Sequence, residues 1–269
     1  ETDFIRTNKL IVNCSVNHMR FDGLVHPDVA QVIEDTRNMI IYGLQAYDFS
    51  AQIAVGGGNS YAENIALVNV ALSQMPNDPQ IFWMPGNSNG VYNHILLWQI
   101  TARGIGFYVN NAGAENVSIR NCMFDYYGAL YPLDSVNFPG IVADHNHFTI
   151  GNTFGTNATL GNHLYTDTIN FNLTPVAGSP LIGNASGNLV PVDATNMIRS
   201  NPASIGGLES ADWYSAFSFS YSADDTICAG QAAMREVNGV DTSIFNVYWN
   251  NSATKGDTSF VYTLSLIHI

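Results

Sequence analysis

The sequence predicts an all-β chain built as a right-handed parallel β-helix, and three observations predict it. A nine-residue phrase, Asn-apolar-x-apolar-x-Asn-x-x-apolar, begins at Asn8 and returns at Asn64 and Asn116, with weaker copies from Asn38 and His94. The starts lie 30, 26, 30 and 22 residues apart, the length of one solenoid coil and not of a helical heptad. Between the copies a second strand recurs, at Gln31-Val32-Ile33, Gln52-Ile53-Ala54-Val55, Gln80-Ile81-Phe82-Trp83, Gly104-Ile105-Gly106-Phe107 and Gly140-Ile141-Val142.

Each element follows from these patterns. Apolar residues alternate with small or polar ones, as in a sheet buried on one face. Turns are expected at Gly56-Gly57-Gly58-Asn59, Pro85-Gly86-Asn87 and Asn110-Asn111-Ala112-Gly113, where positive φ costs little. The sixth phrase position reads Asn13, Gly43, Asn69, Gln99 and Asn121, so the side chains should form one interior file whose amides bond from coil to coil. Cys14 and Cys122 hold the same phrase position four coils apart, roughly 19 Å at strand spacing, and are expected to be free, buried thiols. Leucine-rich repeats would need Leu at fixed places and a helical return, whereas a single-domain jelly roll stays open as an alternative, because repeats this imperfect can arise by chance among short strands.

Composition narrows the partners. Charged residues make up 12% of the chain against roughly 25% in typical domains, so its polarity comes from amides and hydroxyls, which suit sugars. A net charge of -13, with Lys9 and Lys255 the two lysines, disfavours nucleic acid and anionic lipid. No apolar run approaches the roughly 20 residues of a membrane span. The chain opens at Glu1 in mid-pattern without a signal peptide, so an extracellular or cell-surface location is an expectation for a longer protein. Residues 264–269 resemble a translated sequencing-adapter tail of a metagenomic contig and are read as non-native.

The coils are expected over 1–143, a terminal coil and cap over 144–210, and a truncated β module, of carbohydrate-binding sandwich type, over 211–263. The pattern loosens at Asp144-His145-Asn146-His147-Phe148. Beyond it come Pro175-Val176-Ala177-Gly178-Ser179-Pro180-Leu181-Ile182-Gly183 and Arg199-Ser200-Asn201-Pro202-Ala203-Ser204-Ile205-Gly206-Gly207-Leu208-Glu209. Both resemble the closing signatures of bacterial right-handed β-helix proteins of the pectate-lyase-like superfamily. The second signature usually reads Asp-Ile-Gly-Ala before its final pair; Ser204 and Gly207 depart from it. The cap is expected to cover open strand edges of the last coil. In the β module, strands are expected over Trp213–Tyr221 and Asn246–Trp249.

His26-Pro27-Asp28-Val29-Ala30-Gln31, after Arg20-Phe21-Asp22-Gly23, resembles the His-Pro-Asp-Gly-Ile-Gln segment of β-helix proteins related to polysaccharide lyases. That resemblance implies acid–base work for His26 and Asp28 on a loop over a groove, with Asp22 nearby. The plainer reading is that Asp28 caps a turn, Pro27 stiffens it, and Gln31 joins an amide ladder with Gln52 and Gln80. Aligning Gln31 with Gln52 would set Tyr47 over His26, with Asp48 beside it. Trp83, Trp98, Tyr108, Tyr126 and Tyr127 fall near strand ends, as sugar platforms or as core.

The resemblance also implies that a cation or Ca²⁺ neutralises a uronate while Arg, Lys, His or Tyr removes a proton. Arg103 and Arg120 are the mid-chain cations, with His94 between them, and Arg120 has Glu115 or Asp125 as plainer partners. Hydrolysis would need two carboxylates across a groove, which Asp22, Asp28 and Asp48 supply. The Asn-Thr-Asp, Asp-Asp and Gly-His-Gly set of polygalacturonases is absent. His145 and His147 have no cysteine pair to complete a zinc site, and Gly56-Gly57-Gly58 leads into a strand, unlike a phosphate loop.

The expected site is therefore His26, Asp28 and Arg103 as catalytic residues, with Asp22, Tyr47, Asp48 and Trp83 binding substrate and no cofactor beyond an optional Ca²⁺. The expected activity is lyase-like or hydrolase-like on a polysaccharide. Its rival is a non-catalytic adhesin, tailspike or surface spacer.

Overall fold

A computed structural model describes residues 10–18, 29–32, 36–49, 53–55, 61–74, 80–84, 91–109, 114–129, 139–187, 189–210, 220–221, 232–238 and 259–263. The chain divides into two units, 1–211 and 212–269. Among the described residues all regular structure is β, and no helix is long and apolar enough to cross a membrane.

The first unit carries a 14-stranded sheet with parallel pairing throughout. Its strands form tiers. The first tier is β1 (Leu10–Val12), β2 (Ser15–Asn17) and β3 (Ala30–Val32); the second is β4 (Thr36–Tyr42), β5 (Gln45–Phe49) and β6 (Ile53–Val55). The third holds β7 (Tyr61–Gln74) and β8 (Gln80–Met84), and the fourth is the single long β9 (Val91–Val109). Then follow β10 (Ala114–Arg120) with β11 (Met123–Ala129), β12 (Ile141–Asp144) with β13 (His147–Ile150), and β14 (Thr159–Leu160). This parallel pairing excludes the antiparallel jelly roll.

Register follows the sequence phrase. Ile11, Ile41, Leu67, Leu97, Ile119 and Ala143 form one file of paired residues, all buried. Residues on either side of this file point the other way, as the two-residue strand period requires. Leu44, Leu72, Ile100, Ile105, Phe124 and Phe148, from later strands of the tiers, meet the same core.

Between the first and second strands of each tier the backbone turns through a left-handed residue. These corners are Asn13, Gly43, Asn69, Gln99, Asn121 and His145, with φ between 49° and 66°. The first five are the expected file, with His145 added, but the file is not interior throughout: Asn69, Gln99 and Asn121 are buried and Asn13 is exposed. Asn tolerates this conformation better than other non-glycine residues, which accounts for its recurrence.

The corner amides do not form the expected ladder. Asn69 Nδ2 donates to Val192 O at 2.6 Å, and its Oδ1 accepts from Arg199 Nη2. Asn121 Nδ2 donates to Ser186 O at 3.0 Å, and its Oδ1 accepts from Ser186 N at 2.7 Å. Buried Gln99, between them, has no hydrogen-bond partner for its amide. Amide bonding occurs instead between two phrase starts, of which Asn38, Asn64, His94 and Asn116 are described and are also left-handed and exposed: Asn64 Nδ2 donates to Asn38 Oδ1 at 2.9 Å.

Several expected alignments shift. Gln31 pairs with Ala54, so the register does not align it with Gln52, which lies outside the described residues, and Tyr47 pairs with Asn17 and Ser73. Ile141 pairs with Val117, so β12 extends the first strand of the repeat and the stack continues through β13 and β14. His145 is a corner, while His147 is buried in β13 against Thr159 Oγ1 (2.8 Å) and Gly161 O (2.9 Å). The expected turns at 56–59, 85–87 and 110–113 lie outside the described residues.

Of residues 144–210, expected as terminal coil and cap, β13 and β14 continue the parallel sheet, and 163–210 lie along its side as a strap that includes the hairpin β15 (Tyr165–Asp167) and β16 (Asn172–Pro175). Leu181, Ala185, Ala203 and Ile205 pack on Met123; Leu173, Ala194 and Leu208 pack on Ala71. Gln45 Nε2 donates to Ala194 O at 3.0 Å, and Gly207 N to Thr101 Oγ1 at 2.9 Å. The departure at Gly207 has a steric reason, because a Cβ there would lie 2.2 Å from Val70 O. Ser204 donates through its N–H and Oγ to buried Glu209, which lies 3.8 Å from Arg199 Nη1.

Cys14 and Cys122 are free thiols, as expected, but only Cys122 is buried, Cys14 being half-buried; Cys228 lies outside the described residues. Burial pushes the Cys122 thiol up to about 12. In the second unit, β17 (Ser220–Tyr221), β18 (Ala232–Asn238) and β19 (Ser259–Thr263) form an antiparallel sheet. Ser220–Tyr221 closes the first of the two strands expected there, and the second, at 246–249, lies outside the described residues.

Asn69→Leu should cost about 2 kcal/mol or more beyond the backbone strain of a left-handed Leu, because it leaves Arg199 and Val192 O without their buried partner, whereas exposed Asn64→Leu, equally left-handed, should cost only that strain, about 1 kcal/mol. Urea unfolding of the two variants checks this, and equal losses would contradict it.

Candidate functional site

The second strands of the tiers present an outward file across which the strap lies. In register it reads Asn17, Tyr47, Ser73 and Arg103, continued by Asp125 and Thr149 between the paired Phe124–Phe148 and Tyr126–Ile150. Two expected residues, Tyr47 and Arg103, share this file, and Asp48 follows Tyr47. Asp22, His26 and Asp28 lie outside the described residues. Trp83 is in β8, paired with Ala54 and Tyr108, away from this file.

Tyr47 is not an open platform. Its ring stacks on Phe171 with centroids 6.4 Å apart and planes 17° from parallel, and its hydroxyl donates to Gln45 Oε1 at 3.2 Å. Burial, with Asp193 adding to it, pushes the phenol up to about 12, so Tyr47 is no base near neutrality. Asp48 is buried and left-handed, and its Oδ2 meets His18 Nδ1. Arg103 Nη1 donates to Ser73 Oγ and Thr168 O, both at 3.2 Å.

Beside Arg103 stands a group that sequence reading missed. Asp125 Oδ2 accepts from Gly104 N at 2.6 Å, and its Oδ1 accepts from Thr149 Oγ1 at 3.2 Å. Thr149 Oγ1 also lies 2.7 Å from His163 Nδ1, and His163 Nε2 lies 3.7 Å from Asp125 Oδ1. Thr149 has one proton; donating it to Asp125 requires Nδ1 of His163 to carry a proton toward Thr149. Nε2 then faces the carboxylate. Tyr165 covers the imidazole, with ring centroids 4.4 Å apart.

Electrostatics agree with a neutral imidazole. Burial first, then His147 and Arg103, push His163 down to about 4. Burial raises Asp125, while the Gly104 N–H, Thr149 and Arg103 pull it back. Burial also raises Tyr165 well above its usual value, so near neutral pH its phenol stays protonated beside the neutral imidazole of His163.

Asp125 was a candidate partner for Arg120; instead Arg120 Nε donates to Ser118 Oγ at 3.2 Å and its guanidinium lies 5.9 Å from the Trp98 ring centroid. His163 and Thr149 carried no usable signal, since His163 lies on the strap and its partners are set by packing. Among the described residues no three His, Cys, Asp or Glu side chains are grouped to hold a metal ion.

His163 makes stability depend on pH. Between its unfolded value of 6.5 and its folded value of about 4, the unfolded chain binds a proton that the folded chain refuses, so stability falls as pH falls through that window. Asp125, raised from 3.8, acts with the opposite sign. His163→Gln should therefore reduce the stability lost between pH 6.5 and 4 by up to about 3 kcal/mol, measured by urea unfolding across the window. An unchanged pH slope would contradict the assignment.

No family model matches the sequence, and no curated protein matches it.

Proposed function

We propose that residues 10–160 wind as a right-handed parallel β-helix, and that the chain acts on a polysaccharide laid along the flank, by lyase-like chemistry. Burial of the first two strand columns, and of Ile105 at the start of the third, in one core supports the winding, and right-handedness is the rule for parallel crossovers. The resemblance at 175–183 and 199–209 supports the superfamily.

One observation carries the chemical reading: Arg103, Asp125 and His163 are gathered at one place on a file repeating at strand spacing. An Arg neutralises an acidic sugar, and a neutral imidazole accepts the proton removed next to its carboxylate. The described carboxylates suit hydrolysis less. Asp48 and Asp125 are three tiers apart, about 14 Å at strand spacing, beyond the roughly 5–9.5 Å of glycoside hydrolases.

A second reading, a sugar-binding or structural solenoid without catalysis, is favoured by the strap itself, because Thr168 and Phe171 cover Arg103 and Tyr47. Incubation with polygalacturonate and alginate separates the two. The lyase reading expects unsaturated products, detected by ultraviolet absorbance, and at least a hundredfold loss in Arg103→Ala and His163→Ala, typical of removing an electrostatic or acid–base group. Binding of these polymers without product, or product formation untouched by both substitutions, would remove the catalytic assignment.

A further inference from the structure

His18 and Asp48 form a second proton-handling unit, separate from Arg103 and His163. They stand in register at the ends of β2 and β5, following the paired Asn17 and Tyr47, and both are left-handed, with φ of 60° and 54°. His18 N also donates to Tyr47 O at 3.2 Å, which holds its backbone to the neighbouring tier. The two side chains differ in environment. Asp48 is 8% exposed, whereas the His18 side chain is 75% exposed.

A buried carboxylate facing one imidazole nitrogen fixes the tautomer, placing the proton on Nδ1 and leaving the Nε2 lone pair free. An ordinary surface ion pair exposes both partners and holds neither in one geometry. Here the carboxylate is anchored in the tier, and Nε2 belongs to an open side chain. We propose that His18 is a general base for a hydroxyl-bearing ligand or water at the flank, with Asp48 as its positioning residue. In the step, Nε2 takes the proton of an O–H group and the imidazolium keeps its Nδ1–H on Asp48. As that oxygen bonds to an electrophilic carbon of the ligand, the bond from this carbon to its leaving oxygen breaks and the leaving oxygen takes the proton from the imidazolium, restoring neutral imidazole. No electron transfer is involved, and the step does not depend on which polymer the flank accepts.

The test needs no substrate. Diethyl pyrocarbonate acylates neutral imidazole nitrogen, and peptide mass mapping reads each histidine separately. His94, exposed at a phrase-start corner and without a carboxylate partner among the described residues, is the internal standard. The full chain should show His18 reacting faster than His94, and Asp48→Asn should lower their rate ratio about tenfold, the scale of a charge-assisted hydrogen bond. An unchanged ratio in a variant that keeps its circular dichroism overturns the proposal. Should Asp48→Asn fail to fold, ¹⁵N shifts of the His18 ring in the unsubstituted chain decide: an Nδ1–H tautomer supports the dyad and an Nε2–H tautomer overturns it. Neither readout moves if only the Arg103–His163 chemistry is wrong.

Discussion

The left-handed corner between the first two strands of each tier is the constraint on which the stacked sheet depends. A parallel stack keeps its register only if every tier turns at the same place, and here that place requires φ near +50° to +66°. An L-residue pays about 1 kcal/mol or more for this conformation unless it is Gly or a short amide. Recurrent Asn is thus first a backbone solution. Its side chain is then carried out of the turn and is available for other bonds.

Those other bonds hold the strap. Asn69 and Asn121 offer both a donor and an acceptor at fixed strand spacing, and Val192, Arg199 and Ser186 satisfy them. Arg199 in turn shares a buried environment with Glu209, whose carboxylate accepts from Ser200, Ser204 and Ser210. Burial pulls Arg199 down to about 10, and the nearby Glu209 and Asp193 oppose that shift. A lone buried guanidinium would be costly, so the carboxylates and the corner amide are a joint requirement for seating the strap. The same strap brings His163 to Asp125 and Phe171 to Tyr47, so fastening and site assembly share one set of contacts.

The flank accordingly differs from an open row of sugar platforms. Its aromatic and cationic members are partly covered, and the acid–base groups lie toward its two ends. Asp48 has an exposed imidazole as partner, while Asp125 has a buried one. Exposure separates the two histidines chemically: burial keeps His163 neutral well below neutral pH, whereas His18 is oriented by its carboxylate and open to solvent.

From the sequence alone came the period, the alternation of the buried file, the equivalence of Asn13, Gly43, Asn69, Gln99 and Asn121, read as inward amides and not as corners, and the free state of Cys14 and Cys122. These are all relations between a residue and its equivalent one repeat away, which a periodic pattern records directly. The partners of the corner amides, the neighbours of Arg103, and the pairings of His18 with Asp48 and His163 with Asp125 were decided by tertiary structure. Gln45 meets Ala194 across 149 residues and Asn69 meets Arg199 across 130, between a repeating and a non-repeating segment. Such contacts arise from the shape and hydrogen-bonding needs of two packed surfaces, and no spacing within either segment encodes them.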